Sequence, residues 1–250
     1  MFRQACWLAL GLAAVLTLGV HVAGQQLGLM GISAEIQPGA RAFLHGVRWG
    51  IPALALYLTM RYFSEGLHWT MPTMVLGLGG LALLVPLGYV LMFGRLGFPD
   101  LGAAGLGYAT SSMLWAQAAL FAIYLGCSAR FADLRLFRHW EWPRWQPIRE
   151  LLTLGVPIGV TVGLEGGLFI VAALLIGGMG EVPVAAHQIA INIGSITFMA
   201  ALALAEATTV RVGHAVGARD LAGVRRAVMA GYAIVILCQC LTATVIALGN

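Results

Sequence analysis

Glu165 is a lone carboxylate near the middle of an apolar run, Leu151 to Ile176, that is long enough to cross a bilayer. A charged side chain at that depth costs about 2.5–3.5 kcal/mol on insertion scales. A carboxylate kept there needs a partner or a task. The next apolar run, Val184 to Ala215, carries Gln188, Asn192, Ser195, Met199 and Glu206 at steps of three, four or seven. At about 100° per residue these fall on one helix face. The two runs therefore predict a pair of membrane helices lining something wet, with Glu165 as a cation or proton site. The plainer alternative is a buried carboxylate that hydrogen-bonds a neighbouring helix and serves only to hold it.

Coupled exchange needs a group that a proton, a Na⁺ or an organic cation can neutralise, but only one at a time. A carboxylate meets that need. Thr161 and Phe169 lie one turn either side of Glu165 on the same face. The amides and hydroxyl of Gln188, Asn192 and Ser195 can supply neutral ligands to Na⁺ or to a drug. Phe169, Phe198 and Met199 offer aromatic and polarisable surface to a lipophilic cation, although packing alone would also account for them. Glu206 reads as a lining carboxylate or a helix-end one. His187 lies off the polar stripe, where a structural hydrogen bond is expected. The histidines have no metal-ligand spacing. The four cysteines lie in apolar runs and read as small core residues without a disulfide framework.

These side chains need helices to carry them. Of the 250 residues, 60% are hydrophobic and 10% charged, against about 25% charged in a soluble domain. The expected fold is an all-α integral membrane protein, a polytopic bundle of about seven spans. The spans run roughly Gln4–Gly28, Ala40–Phe63 (interrupted by Pro52), Pro72–Phe93, Ala103–Ala129, Ile148–Ile176, Pro183–Val216 and Leu221–Leu248. Gly155, Gly159, Gly163 and Gly167 recur every four residues and predict a ridge where another backbone approaches closely. Arg61 and Glu65 form an i,i+4 pair at a helix end.

The net charge of +4 comes from arginine alone, since no lysine is present. With Met1 in the cytoplasm, eleven arginines fall on that side and Arg41, Arg48 and Arg95 on the other. The positive-inside rule then places Met1 in the cytoplasm and position 181 outside. Arg130–Arg149, with interleaved tryptophans, reads as a linker on the membrane surface and not as a nucleic-acid site. Residues 1–130, 131–147 and 148–250 are thus expected to be four spans of one lobe, the linker, and three spans of a second lobe. Arg225-Arg226-Ala227 opens the last span much as Arg3-Gln4-Ala5 opens the first. The pair preceding the last span has no counterpart before Met1, so the chain is expected to lack material at both ends.

Several motifs carry a resemblance. They are Ala185-Ala186-His187-Gln188-Ile189-Ala190-Ile191-Asn192, Thr209-Val210-Arg211-Val212-Gly213 and Gly217-Ala218-Arg219-Asp220, with Arg61 to Leu67, Pro86 to Leu91 and Gly94 to Gly107. The chain resembles the multidrug and toxic compound extrusion (MATE) family in its NorM-like bacterial branch. That resemblance implies twelve spans in two six-span halves arranged as an inverted V, of which this chain is similar to the third to ninth. It also implies efflux of organic cations from the bacterial inner membrane, driven by Na⁺ or H⁺, by a protein that is monomeric when complete and needs no further cofactor. Glu165 matches the family's seventh-helix carboxylate. The first-helix and tenth-helix aspartates of the family would fall outside this chain.

Two other classes compete. A lipid-linked saccharide flippase of the same wider superfamily would place several cations in its cavity, where this chain has deep acids and, as the chief exception, Arg48. An intramembrane enzyme would need a second catalytic group facing Glu165, and a non-transporting membrane subunit would need none. No Ser/His/Asp order, phosphate loop or cysteine cluster suggests catalysis.

Overall fold

A computed structural model describes residues 1–28, 37–128, 130–131, 141–177 and 181–248. The described residues contain no strand. Their helices are α1 (Phe2–Gln25), α2 (Gln37–Val47), α3 (Ile51–Gly66), α4 (Met71–Met92), α5 (Gly102–Cys127), α6 (Trp145–Gly177), α7 (Glu181–Gly217) and α8 (Leu221–Leu248). Six of them, all but α2 and α3, are long and apolar enough to cross a membrane. The boundaries expected for those six hold to within about three residues at each end. This is an all-α, multi-pass membrane protein. Of the linker, residues 132–140 lie outside the described residues, as do residues 178–180 between α6 and α7.

The remaining expected span is α2 and α3 joined by a 3₁₀ turn, Arg48–Gly50. Pro52 explains the break: it lacks an N–H, and its ring would strike the carbonyl one turn earlier. The chain still runs on as one rod, because Val47, Gly50 and Ile51 keep right-handed helical dihedrals. Carbonyls loosened by the turn are served from α5. Ser111 Oγ donates to Gly46 O at 2.7 Å and lies 3.2 Å from Val47 O, and Trp115 Nε1 donates to Trp49 O at 2.9 Å. Apolar surroundings offer no water to do this, so a neighbouring helix must.

Close approach makes those bonds possible. A Cβ on Gly46 would lie 2.8 Å from backbone atoms of Gly107 and Tyr108, and one on Gly50 would lie 2.9 Å from Ser111. Gly46 with Gly50, and Gly107 with Ser111, are two small-xxx-small pairs meeting face to face. Across the other side of α5, Gln117 Nε2 donates to Leu76 O of α4 at 2.9 Å, in the notch left by Gly80.

Contacts divide the chain into two units, Met1–Thr153 and Leu154–Asn250. The core of the first is Phe2, Cys6, Ala53, Tyr57, Met60, Ala118, Phe121, Leu125 and Phe131, drawn mainly from α1, α3 and α5. Trp69 Nε1 donates to Tyr124 Oη at 2.6 Å, while the Arg130 guanidinium lies 4.2 Å from the centre of the Trp69 ring. Arg61 pairs with Glu65 at 2.9 Å, as its spacing predicts. The end of the linker is tied to the start of α1: Arg3 pairs with Glu141 at 2.9 Å, and Gln4 Nε2 donates to Trp142 O at 3.1 Å.

In the second unit α7 packs on α8. Thr208 of α7 sits against Gly231 of α8. Asp220 Oδ1 accepts from the Gly223 N–H at 2.8 Å and so caps α8. The glycine ridge on α6 differs from its expectation. A Cβ on Gly155, Gly159, Gly163 or Gly167 would meet nothing within 4 Å. Within its own unit, neither α7 nor α8 packs along this stretch of α6 among the described residues. Close small-residue contacts form instead at Gly46, Gly50 and Gly107.

Candidate functional site

The expected cation site is carried entirely by α6 and α7. Pro157 leaves α6 one N–H short, and the Thr161 hydroxyl donates to the Pro157 carbonyl at 3.0 Å. The hydroxyl hydrogen of Thr161 is therefore committed to backbone, and only its lone pairs remain for a ligand. Glu165 follows one turn later. It is exposed and makes no ion pair or hydrogen bond among the described residues. At 1.5 Å per residue it stands roughly 30 Å along the axis from Trp145 and roughly 18 Å from Gly177. Phe169, one turn on, is also exposed.

Along α7, Gln188, Asn192, Ser195 and Met199 are exposed and Glu206 is half-buried. The first three are free of hydrogen bonds among the described residues and span roughly 10 Å of helix. Asn192 and Ser195 lie roughly 16 and 21 Å along the axis from Glu181, close to the distance of Glu165 from its own helix end. Glu206 stands roughly 27 Å along α7 from Gln188, so these two cannot serve the same ion. Phe198 is exposed beside Met199.

The structure does not pack α6 along α7 among the described residues, so Glu165 and the α7 stripe are not brought together there. His187 departs from its expectation. Its Nε2 is buried without a hydrogen-bond partner among the described residues, so that nitrogen makes no structural hydrogen bond. No group of three or more His, Cys, Asp or Glu that could hold a metal occurs among the described residues.

One constellation escaped the sequence reading. His21, His45, Arg48 and Tyr108 meet in the first unit. The only local signal was the His45–Arg48 i,i+3 spacing. His21 and Tyr108 come from α1 and α5, and no periodicity within one helix could have joined them.

The MatE family profile matches residues 1–90 and 157–250. Over all 250 residues the chain is 56% identical to the "Probable multidrug resistance protein NorM" of Xanthomonas axonopodis pv. citri, and covers 55% of that protein. It is 41% identical over 243 residues to the "Multidrug resistance protein PmpM" of Pseudomonas aeruginosa, matching 94% of this chain and 51% of that one. To the "Multidrug resistance protein NorM" of Aliivibrio fischeri it is 36% identical over 241 residues, which is 96% of this chain and 52% of that one. The chain spans about half the length of the curated relatives it matches.

Proposed function

This chain belongs to the MatE family, in its NorM-like bacterial branch, and from that premise we propose that it works as part of a secondary antiporter. The antiporter exports cationic drugs and other organic cations across the bacterial inner membrane in exchange for Na⁺ or H⁺. The multidrug-resistance names of its relatives support the cargo. The observation that carries the mechanism is Glu165, a carboxylate deep in a long apolar helix with no partner among the described residues.

In this reading Glu165 is the coupling group. Na⁺ or a proton neutralises it from one side of the membrane, and the organic cation replaces that ion from the other. Thr161, Gln188, Asn192 and Ser195 offer neutral oxygens to the ion or the drug. Phe169, Phe198 and Met199 supply apolar contact to the cargo, and Glu206 is a weaker lining residue near the cytoplasmic end. Met1 and the linker face the cytoplasm. Residues 1–130 belong to one lobe and 148–250 to the other, and the complete protein acts as a monomer in its lipid.

The test is ethidium efflux in inverted vesicles carrying the native gene product, at matched expression. Glu165→Gln keeps size and hydrogen bonding and removes the charge. It is expected to abolish ion-driven efflux, while Glu165→Asp keeps part of it with shifted ion dependence. Normal transport by Glu165→Gln, with loss in Glu206→Gln, would move the coupling role to Glu206. Normal transport by both would remove it from this chain.

A further inference from the structure

We propose that His21, Arg41, His45 and Arg48 form an oxyanion site that takes a phosphate group between α1 and α2. The site is independent of Glu165 and of the transport reading. Arg48 is its centre. Its Nη1 lies 2.6 Å from His21 Nδ1 and its Nη2 lies 2.8 Å from His45 Nε2. A guanidinium has only donors, so both imidazole nitrogens must be accepting. Each ring is therefore neutral, with its hydrogen on the other nitrogen. His45 Nδ1 then donates to Tyr108 Oη at 3.1 Å, and His21 Nε2 lies 3.1 Å from the Gln25 amide nitrogen, so its hydrogen is accepted there once that amide is turned to present its oxygen.

Among the described residues this arrangement leaves a charge unanswered. Arg41 makes one long bond, 3.4 Å, to the Gln25 carbonyl. No carboxylate among the described residues pairs with Arg41 or Arg48, and neither do α1, α2, the 3₁₀ turn and α5 present one to them. Arg48 is also seven residues deeper along its rod than Arg41, roughly 10 Å. In the span that the sequence predicts over Ala40–Phe63, a cation so placed marks a functional site by default. Its present acceptors are neutral nitrogens. Hydrogen bonds to an ionised oxygen are about twice as strong, and the guanidinium fork fits an oxyanion two-pronged. An arriving phosphate oxygen would displace the imidazoles.

There is room for it. A half-open cavity of about 130 Å³ with mainly apolar walls, Val20, Gly24 and Leu44 among them, lies beside these side chains. At ~30 Å³ per water this holds about four waters, enough for one phosphate group. Cationic groups beside apolar walls suit the phosphodiester of an anionic phospholipid, whose acyl chains would continue along the helices. A free phosphate shares the chemistry but has no use for the walls. Trp49 is exposed beside the site with the Arg48 guanidinium 5.5 Å from its ring centre, an aromatic anchor of the kind found at headgroup level.

The experiment follows thermal unfolding of the 250-residue chain in neutral detergent while phosphatidylglycerol, phosphatidylcholine or inorganic phosphate is titrated. Phosphatidylglycerol is expected to raise the midpoint, with half-saturation at least tenfold weaker in Arg48→Gln and several-fold weaker in Arg41→Gln. Arg41→Gln lies on the rim and keeps the test open if Arg48→Gln does not fold. Arginine-dependent protection by inorganic phosphate as well would support the site and assign it to a soluble anion. Equal protection by phosphatidylcholine, no protection by either phosphate form, or protection unchanged in the variants would overturn it.

Discussion

Replacing Gly46 by alanine should separate α2 from α5. The new Cβ would stand 2.8 Å from the Gly107 carbonyl carbon and the Tyr108 nitrogen, both backbone atoms with no rotamer to escape into. Reaching 3.4 Å, the start of ordinary contact, demands a retreat of roughly 0.6 Å by one helix. The same retreat stretches the Ser111 Oγ–Gly46 O bond from 2.7 Å toward the edge of useful geometry. Overpacking of this kind costs about 1–3 kcal/mol, and a weakened interhelical hydrogen bond adds roughly 0.6. Together they predict a loss of about 1.6–3.6 kcal/mol. For a chain of this size each kcal/mol moves the unfolding midpoint by roughly 2–4 °C. Gly159→Ala is the control. Its Cβ meets nothing within 4 Å, and alanine gains up to about 1 kcal/mol over glycine in a helix. Both variants of the 250-residue chain are to be unfolded thermally in detergent. Equal midpoints, or a larger loss for Gly159→Ala, would refute the assignment of the packing seam.

Three further outcomes follow from the same reasoning. Phe121, 0% exposed in the core of α1, α3 and α5, should cost about 3–5 kcal/mol when cut to alanine, read by the same unfolding assay. Trp69→Phe and Tyr124→Phe each remove the 2.6 Å bond between them, so each should cost about 1 kcal/mol, and the double variant should lose less than the sum. A single cysteine at position 181 should react with a membrane-impermeant reagent in intact cells and one at position 144 only after permeabilisation, the reverse pattern refuting a cytoplasmic Met1.

The elements were legible because a bilayer-length apolar run leaves a helix little choice. Leu221–Leu248 was expected residue for residue and found so. Pro52 was legible as an interruption, since a missing N–H is a local fact. That Ser111 and Trp115 would answer the loosened carbonyls was not, because they lie more than sixty positions away. The candidate site divides along the same line. The depth of Glu165 and the shared face of Gln188, Asn192 and Ser195 follow from counting along one helix. What stands opposite Glu165 does not.

Glycine spacing shows where such counting stops. Gly155, Gly159, Gly163 and Gly167 make the longer and more regular series, yet Gly46 with Gly50 is the pair that meets another backbone. A step of four clears a groove on a helix. Whether a neighbour enters depends on what that neighbour gains. Gly107 and Ser111 supply a matching groove and a hydroxyl for the Gly46 and Val47 carbonyls beside the 3₁₀ turn, so the contact there is held by a hydrogen bond as well as by shape. The α6 series has no such donor facing it among the described residues. A small-residue ridge is best read together with the nearest backbone irregularity, since the irregularity creates the unmet acceptor that makes one groove worth filling.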